Sequence, residues 1–252
     1  MQIGMVIPTY NEANNLPRLV AALFALPLDL CLLVVDDDSP DGTGRLAEDL
    51  STANAGRIVV IHRSPKSGLA SAYIQGFRYF LKNRVNAIGQ MDADFSHDPA
   101  ALVAMSKRLE ICDVILGSRY VEGGSIDARW SLWRRGLSTL GNSYARAILG
   151  IPYRDLTTGY RLWRSEALRE MPLDWIRSKG YVFQIEMTYL AHRLKYQIGE
   201  IPIHFSERQY GRSKMSIRIQ LEAVLRIWQM PLNYRNLHHL AAPNINENYL
   251  KS

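Results

Sequence analysis

Asp92-Ala93-Asp94 sets two carboxylates one residue apart, directly after the run Val85-Asn86-Ala87-Ile88-Gly89-Gln90-Met91. That run reads as a buried strand, and the acids stand where it must stop. Ligands of open α/β sheets bind at the carboxyl ends of the strands. A hard divalent cation takes oxygen ligands, and Mg²⁺ is usually held by one or two carboxylates together with substrate phosphates. The chemistry these residues support is a cation–diphosphate site. The plain alternative is an acidic loop that caps the helix after Asp98-Pro99. Within the segment Asp94 is the better candidate for direct metal contact, and His97 fits a surface loop better than a ligand set.

Other segments carry residues of matching chemistry. Pro8-Thr9-Tyr10-Asn11-Glu12 follows the first apolar run. Pro8 has no N–H and ends a ladder, Asn11 suits a helix cap, and Tyr10 offers a flat face to a base. A well-capped strand–helix turn accounts for the same residues. Val35-Asp36-Asp37-Asp38-Ser39-Pro40-Asp41-Gly42-Thr43 puts three mutually repelling acids at a strand end. Ser39 or Asp41 can cap the next helix. The others can accept hydrogen bonds from a base or ribose, or support a cation indirectly. Lys66-Ser67-Gly68-Leu69-Ala70 opens a helix, where a lysine and free N–H groups suit an anion; a solvated lysine beside a glycine turn is the alternative. Later come Arg119, Arg134, Arg135, Arg208 and Lys214, guanidinium forks and an ammonium that suit phosphate. The segment 207–214 contains Gly211 and can close over a diphosphate, or be a solvated loop.

The elements that must position these groups follow from the hydrophobic pattern. Strands are expected at 1–7, 30–35, 57–62, 85–91 and 114–117, with helices at 11–26, 41–53, 68–82 and 99–109. Strands alternating with helices mean βαβ units and a parallel sheet. Right-handed crossovers then bring the acidic loops to one edge. After Arg119 the pattern changes. A loop at 120–133 holds Gly123, Gly124, Trp130 and Trp133, and a helix is expected at 134–149. A short strand at 159–163, a helix at 182–194 and a strand at 197–205 follow. A last helix at 216–228 has the stripe Ile217, Leu221, Val224, Leu225 and Trp228, and the tail from 233 is polar.

Hydrophobic residues make up 47% of the 252 and charged residues 21%, the balance of a globular chain with a core that needs no staples. Cys31 and Cys112 lie in apolar contexts and form neither a disulfide framework nor a metal site, which suits a reducing setting. Thirty Lys and Arg against 24 Asp and Glu give a net charge of +6, concentrated after residue 119, so an anionic partner is expected. No basic n-region of a secretory signal precedes the first strand. The most apolar stretch, 19–35, is broken by Pro27 and Asp29 and divides into helix, turn and strand rather than a span. No G-x-G-x-x-G follows a strand, which argues against a dinucleotide oxidoreductase. The acidic strand ends argue against nucleic acid as the partner.

Together these segments resemble the inverting family 2 glycosyltransferases of the GT-A fold, and within them the dolichol-phosphate (polyprenol-phosphate) mannose synthases. The resemblance runs in order from Ile7-Pro8-Thr9-Tyr10-Asn11-Glu12 and Asp36-Asp37-Asp38-Ser39-Pro40-Asp41-Gly42-Thr43 to Met91-Asp92-Ala93-Asp94 and Gly117-Ser118-Arg119-Tyr120. It continues through Arg134-Arg135, Ser138 and Asn142, Asp155-Leu156-Thr157-Thr158-Gly159-Tyr160-Arg161, and Gly180-Tyr181-Val182-Phe183-Gln184-Ile185-Glu186-Met187. It closes with Glu200-Ile201-Pro202-Ile203, Phe205, Arg208, Gly211, Ser213 and Lys214.

The resemblance implies an α/β, mostly parallel sheet flanked by helices in one GT-A domain, 1–230. Residues 1–118 would bind nucleotide sugar, 119–230 the acceptor, and 231–252 would be a polar tail. It implies transfer of mannose from GDP-mannose to a polyprenyl (dolichyl) phosphate with Mg²⁺ or Mn²⁺, UDP-glucose or a similar donor being the alternative. Pro8, Tyr10, Glu12, Val35 and Asp37 would hold the guanosine. Asp92, Ala93 and Asp94 would hold metal and diphosphate, with Ser96 where relatives can carry a metal-holding Gln. Arg119, Arg208 and Lys214 would grip donor phosphates and sugar. Arg134, Arg135, Ser138 and Arg119 would receive the lipid phosphate. Asp38 departs from the pattern, standing where glycine is common. The sequence lacks the carboxy-terminal membrane domain of some relatives. The expected type therefore works peripherally at the cytoplasmic face of a membrane, with small anchoring subunits as partners. Trp130, Leu132 and Trp133 are the candidate membrane-facing entry, or else core packing.

Overall fold

The computed structural model describes residues 1–54, 56–64, 66–207, 217–235 and 237. Arg208 and Lys214 lie outside the described residues. Four βα steps and a fifth strand build the first half: β1 (Gln2–Thr9), α1 (Leu16–Phe24), β2 (Asp29–Asp36), α2 (Thr43–Ala53), β3 (Ile58–His62), α3 (Leu69–Lys82), β4 (Ala87–Gln90), α4 (Ala101–Arg108) and β5 (Val114–Ser118). The second half comprises β6 (Ser125–Ile126), α5 (Leu132–Leu149), β7 (Arg161–Arg164), α6 (Ser165–Glu170), α7 (Val182–Arg193), β8 (Ile198–Pro202), β9 (His204–Phe205) and α8 (Ile217–Asn233).

The main sheet has seven strands in the order β3-β2-β1-β4-β7-β5-β8. Every neighbour pair is parallel except those of β7, which runs antiparallel between β4 and β5. The mostly parallel sheet expected from the sequence is present. The reversed β7 has a functional consequence, because its incoming loop, 155–160, arrives at the edge where the parallel strands end. Pro8 is tolerated in central β1 because pairing with β4 stops at Val6↔Gln90, so its missing N–H falls beyond that ladder.

Apolar layers cover both faces of the sheet. Leu16, Leu19, Val20 and Leu23 of α1 pack with Ile3, Met5 and Ile7 on one face. Tyr73, Phe77 and Phe80 of α3 pack with Val6, Leu33 and Val35 on the other. Each such fully buried side chain contributes about 1.5–3 kcal/mol of transfer free energy. α3 lies close to β1 because Gly76 has no Cβ, which would stand 2.4 Å from Val6.

Several boundaries differ from the sequence expectation. α1 starts at Leu16 rather than residue 11, because Asn11 adopts a left-handed φ of 63° and gives its N–H to Ser39 Oγ. The expected strand 197–205 is broken into β8 and β9 at Ile203: its N–H closes the β5–β8 ladder on Ser118 O, and its C=O accepts from Ser125 N–H of β6, the strand with which β9 pairs. α8 runs through Pro231, and Tyr234 and Leu237 are buried, so packing extends past the expected domain end at 230. Of the expected α8 stripe, Val224, Leu225 and Trp228 are exposed, while Ile227 and Met230 are buried instead. Among the described residues no helix is long and apolar enough to cross a membrane.

Candidate active site

The parallel strands deliver the acidic loops to one edge. Asp36 ends β2 and Asp37 follows it, and Asp92 to Asp94 follow β4. The three adjacent aspartates are separated by their partners. Asp36 accepts from Thr9 Oγ1 at 2.7 Å and from Ser39 Oγ at 2.6 Å. Asp37 accepts from the N–H groups of Ser67 (2.9 Å) and Gly68 (3.0 Å), and Arg63 pairs with it at 2.8 Å. Asp37 therefore ties the end of β2 to the start of α3. Asp38 is exposed with a φ of 61°, the left-handed region that glycine occupies without strain, which is the physical reason glycine suits this position. Asp41 accepts from Thr43 N–H and Oγ1 at the start of α2, where the N-cap position itself is Gly42 with a left-handed φ of 87°.

Lys66 Nζ stands 3.0 Å from the Tyr10 ring centroid, so the flat face expected for a base carries a cation. Glu12 gives its N–H to Thr43 Oγ1 and accepts from Asn15 Nδ2. Pro8 and Val35 are register partners across β1 and β2. Val35, expected to hold the nucleoside, is buried in the core with none of its surface exposed.

Asp92 Oδ1 accepts from the Tyr73 hydroxyl at 3.2 Å. Asp94 is buried, and its Oδ1 accepts from Ser96 N–H (3.0 Å) and Ser96 Oγ (2.6 Å). Ser96 thus orients Asp94. His97, expected in a surface loop, is instead 1% exposed. It stacks on Tyr160 and meets Phe205 edge-on, and neither ring nitrogen has a hydrogen-bond partner. Burial lowers its pKa, against the pull of Asp92 and Asp94.

Among the described residues no three His, Cys, Asp or Glu side chains form a ready metal cluster. The donor chemistry nevertheless fits a hard cation. Asp92 and Asp94 offer carboxylate oxygens, and such a cation draws its remaining ligands from diphosphate and water.

Beside Asp92 a cavity of about 280 Å³ opens. Asp92, Arg119, Thr157, Arg134 and Ser138 line its polar part, while Leu137, Tyr144, Val182, Ile185 and Ile227 line its apolar part. Arg119 is almost fully buried. It donates from Nε and Nη2 to Asp155, each at 2.7 Å, and from Nη2 to Thr157 Oγ1. Burial pushes the Asp155 carboxyl up, but the Arg119 charge and hydrogen bonds outweigh it and hold the group below its usual range. Gly124 lies directly on the Ser118–Arg119 backbone, where a Cβ would come within 2.7 Å of Ser118 O.

Arg134 Nη1 donates to Glu207 at 2.9 Å, and its guanidinium lies 3.6 Å from the Trp130 ring centroid. Ser138 Oγ accepts from Tyr120 at 2.7 Å. Arg135 instead donates to Asp127 O and is not among the cavity residues. Trp130 is buried, whereas Leu132 and Trp133 are 84% and 79% exposed, so the tryptophans expected to share one surface divide between core and solvent. Sequence reasoning assigned no role to Asp155 or Thr157. Their signal was the Asp155–Arg161 motif, and what it lacked was the antiparallel direction of β7.

Acids at the carboxyl ends of β2 and β4, a basic and partly apolar cavity beside them, and a mostly parallel sheet define a nucleotide-sugar transferase of the GT-A type. The chain belongs to glycosyl transferase family 2, whose family description matches residues 5–171. It is 42% identical over 224 residues to a polyprenol monophosphomannose synthase from Mycolicibacterium smegmatis, covering 88% of this chain and 84% of that one. It is 41% identical over 239 residues to an undecaprenyl-phosphate mannosyltransferase from Micrococcus luteus, covering 94% and 98%. The glucosyl-3-phosphoglycerate synthase of Mycobacterium tuberculosis, solved with Mn²⁺ and UDP, shares the fold with a TM-score of 0.60. That match has 16% identity and covers 97% of this chain and 81% of that one. The resemblance read from the motifs is thus borne out, and the protein is a glycosyltransferase.

Proposed function

We propose that the protein transfers mannose from GDP-mannose to a polyprenyl (dolichyl) phosphate, with inversion, at a membrane surface. The observation that carries this is the cavity that begins at Asp92 and Arg119 and turns apolar through Leu137, Val182 and Ile227. Such a gradient suits an acceptor with an anionic head and a hydrocarbon tail. The names of the two relatives point to the same acceptor class and sugar.

In this reading an acceptor phosphate oxygen bonds to the anomeric carbon as the bond from that carbon to the GDP oxygen breaks. The bonding electrons leave with GDP, and the product is β-linked. The phosphate is already anionic near neutral pH, so no strong base is required. Asp92 and Asp94 would hold Mg²⁺ or Mn²⁺, which when bound neutralises the leaving diphosphate. Tyr10, Glu12 and Pro8 would face the nucleoside, with Asp37 fixing the loop beneath it. Arg208 and Lys214 are proposed to reach the donor phosphates. Arg134, with Ser138 and Arg119 nearby, would receive the acceptor phosphate, and Glu207 would yield its place on Arg134 to it.

Radiolabelled GDP-mannose incubated with defined polyprenyl phosphates, with and without Mn²⁺, tests the activity, with UDP-glucose as the competing donor. Label in the lipid only with GDP-mannose supports the reading; transfer only from UDP-glucose rejects the donor. In the same assay Arg134→Ala is expected to raise the KM for lipid phosphate about tenfold, roughly the loss of one charge-assisted contact. The KM for GDP-mannose should move far less, and the reverse order rejects the acceptor role.

The exposed Leu132, Trp133 and Leu140 of α5, with Leu225, Trp228 and Leu232 of α8, supply apolar surface, and Arg134, Arg135 and Arg146 of α5 supply charge for anionic headgroups. Replacing Leu132 and Trp133 with Ser is expected to weaken cosedimentation with anionic vesicles at least fivefold. Removing about two large apolar contacts predicts a loss of that order or more. Unchanged cosedimentation rejects this face as the docking surface.

A further inference from the structure

Asp92 does not stand alone at the end of β4. The Tyr73 hydroxyl donates to its Oδ1 at 3.2 Å, from a side chain that is 0% exposed. Two rings hold that hydroxyl in place. Phe183 of α7 stacks on Tyr73 with an interplanar angle of 4°, and Phe77 lies one helical turn along α3 at 6.2 Å between centroids.

The same helix also holds the other acidic loop. Asp37 accepts from the N–H groups of Ser67 and Gly68, immediately before α3 begins. Tyr73 follows Gly68 by five residues, about 7.5 Å along a helix axis. α3 and the turn that leads into it therefore grip both acidic strand ends, the end of β2 through the Ser67 and Gly68 N–H groups and Asp92 through a phenol. On its other side Asp92 faces the cavity, with its carboxylate oxygens 3.4 and 3.5 Å from where a Gly159 Cβ would stand.

We infer that Tyr73 is a positioning residue for the transfer reaction: its phenol fixes the Asp92 carboxylate toward the cation and diphosphate, and α3 sets the spacing between that group and the Asp37 loop. This inference rests on the metal and donor chemistry proposed above. Groups that hydrogen-bond a metal-ligating carboxylate usually matter to metal affinity by one to two orders of magnitude. Phenylalanine at position 73 would keep the stacking and remove only the donor.

The test is Mn²⁺ binding in the presence of GDP, followed by titration calorimetry, with melting temperature and transfer kinetics measured in parallel. Tyr73→Phe is expected to weaken Mn²⁺ binding about tenfold. It should lower kcat with the metal subsaturating and leave the melting temperature within about 3 °C, the shift of roughly one hydrogen bond. In an Asp92→Asn background, adding Tyr73→Phe should cause no further loss of Mn²⁺ affinity. If wild type binds Mn²⁺ with GDP and Tyr73→Phe binds it equally well, the inference is overturned and the metal reading stands. Equal additional losses in both backgrounds, or a loss that tracks a large fall in melting temperature, overturn it in favour of plain structural support. Absence of Mn²⁺ binding in the wild type overturns the metal reading and this inference together.

Discussion

Asp94→Ala abolishes sugar transfer while the protein stays folded: this is the expected result, and it follows from where Asp94 sits. Its carboxylate is buried at the end of β4, and its Oδ1 is held by Ser96 N–H and Oγ. The two bonds fix the carboxylate in one orientation, as a preorganised ligand needs. Removing it takes one of two carboxylates from the proposed cation site and leaves the leaving diphosphate poorly neutralised. Losing a single preorganised electrostatic contact to a developing charge costs about 10²–10³ in kcat. Losing a metal ligand should cost at least that, so turnover is expected to fall by roughly 10³ or more. Asp94→Asn refines the test. Its amide oxygen can still accept from Ser96, so the loop keeps its shape while the charge is gone. Both variants should fall to the same low turnover, with circular dichroism and melting behaviour close to wild type for the Asn form. Unchanged turnover at saturating Mn²⁺ in either would sink the metal assignment.

What the sequence disclosed, and what it hid, divides along physical lines. The alternation of strands and helices through residue 118 is a local signal, and β1 to β5 appear close to where the apolar runs put them. The acidic pair after β4 is likewise local, because parallel strands send their carboxyl ends to one edge. The direction of β7 is not local. Arg161-Leu162-Trp163-Arg164 reads the same in either direction, and only its insertion between β4 and β5 makes it antiparallel. That reversal carries Asp155, Thr157 and Gly159 to the site, which the motif Asp155–Arg161 alone does not disclose. Trp130 and Trp133 show the same limit. They are three residues apart, yet one packs against Phe205 and the other faces solvent, a division set by the turn of chain entering α5. His97 lies in a polar loop segment, which suggests exposure, yet it is buried. Its burial comes from Tyr160 and Phe205, both distant in sequence.

The buried pair Arg119–Asp155 yields the second large effect, this time on stability. Asp155 is fully buried and accepts from Arg119 Nε, Nη2 and backbone N–H. Glu200 in turn accepts from the N–H groups of Arg154 and Asp155, which fixes the loop that enters β7. Asp155→Ala leaves the Arg119 guanidinium buried without its counter-charge, and breaking such a pair from one side costs about 3–5 kcal/mol. For a chain of this size the melting temperature should fall by on the order of 10 °C. Replacing both members, Arg119→Met with Asp155→Leu, removes the stranded charge along with its partner. Exchanging a buried ion pair for apolar side chains of similar volume is often neutral or stabilising. The double variant is therefore expected to recover most of the lost melting temperature. It should not recover transfer, because Arg119 lines the cavity beside Asp92 and would no longer bring positive charge to the phosphates. Thermal denaturation and turnover, measured on the two single variants and the double, separate the two tasks. A double variant that regains both stability and turnover would show that Arg119 serves the fold alone. A fall of less than about 3 °C for Asp155→Ala, under one kcal/mol by the same scaling, would show that the pair is not holding this edge of the sheet.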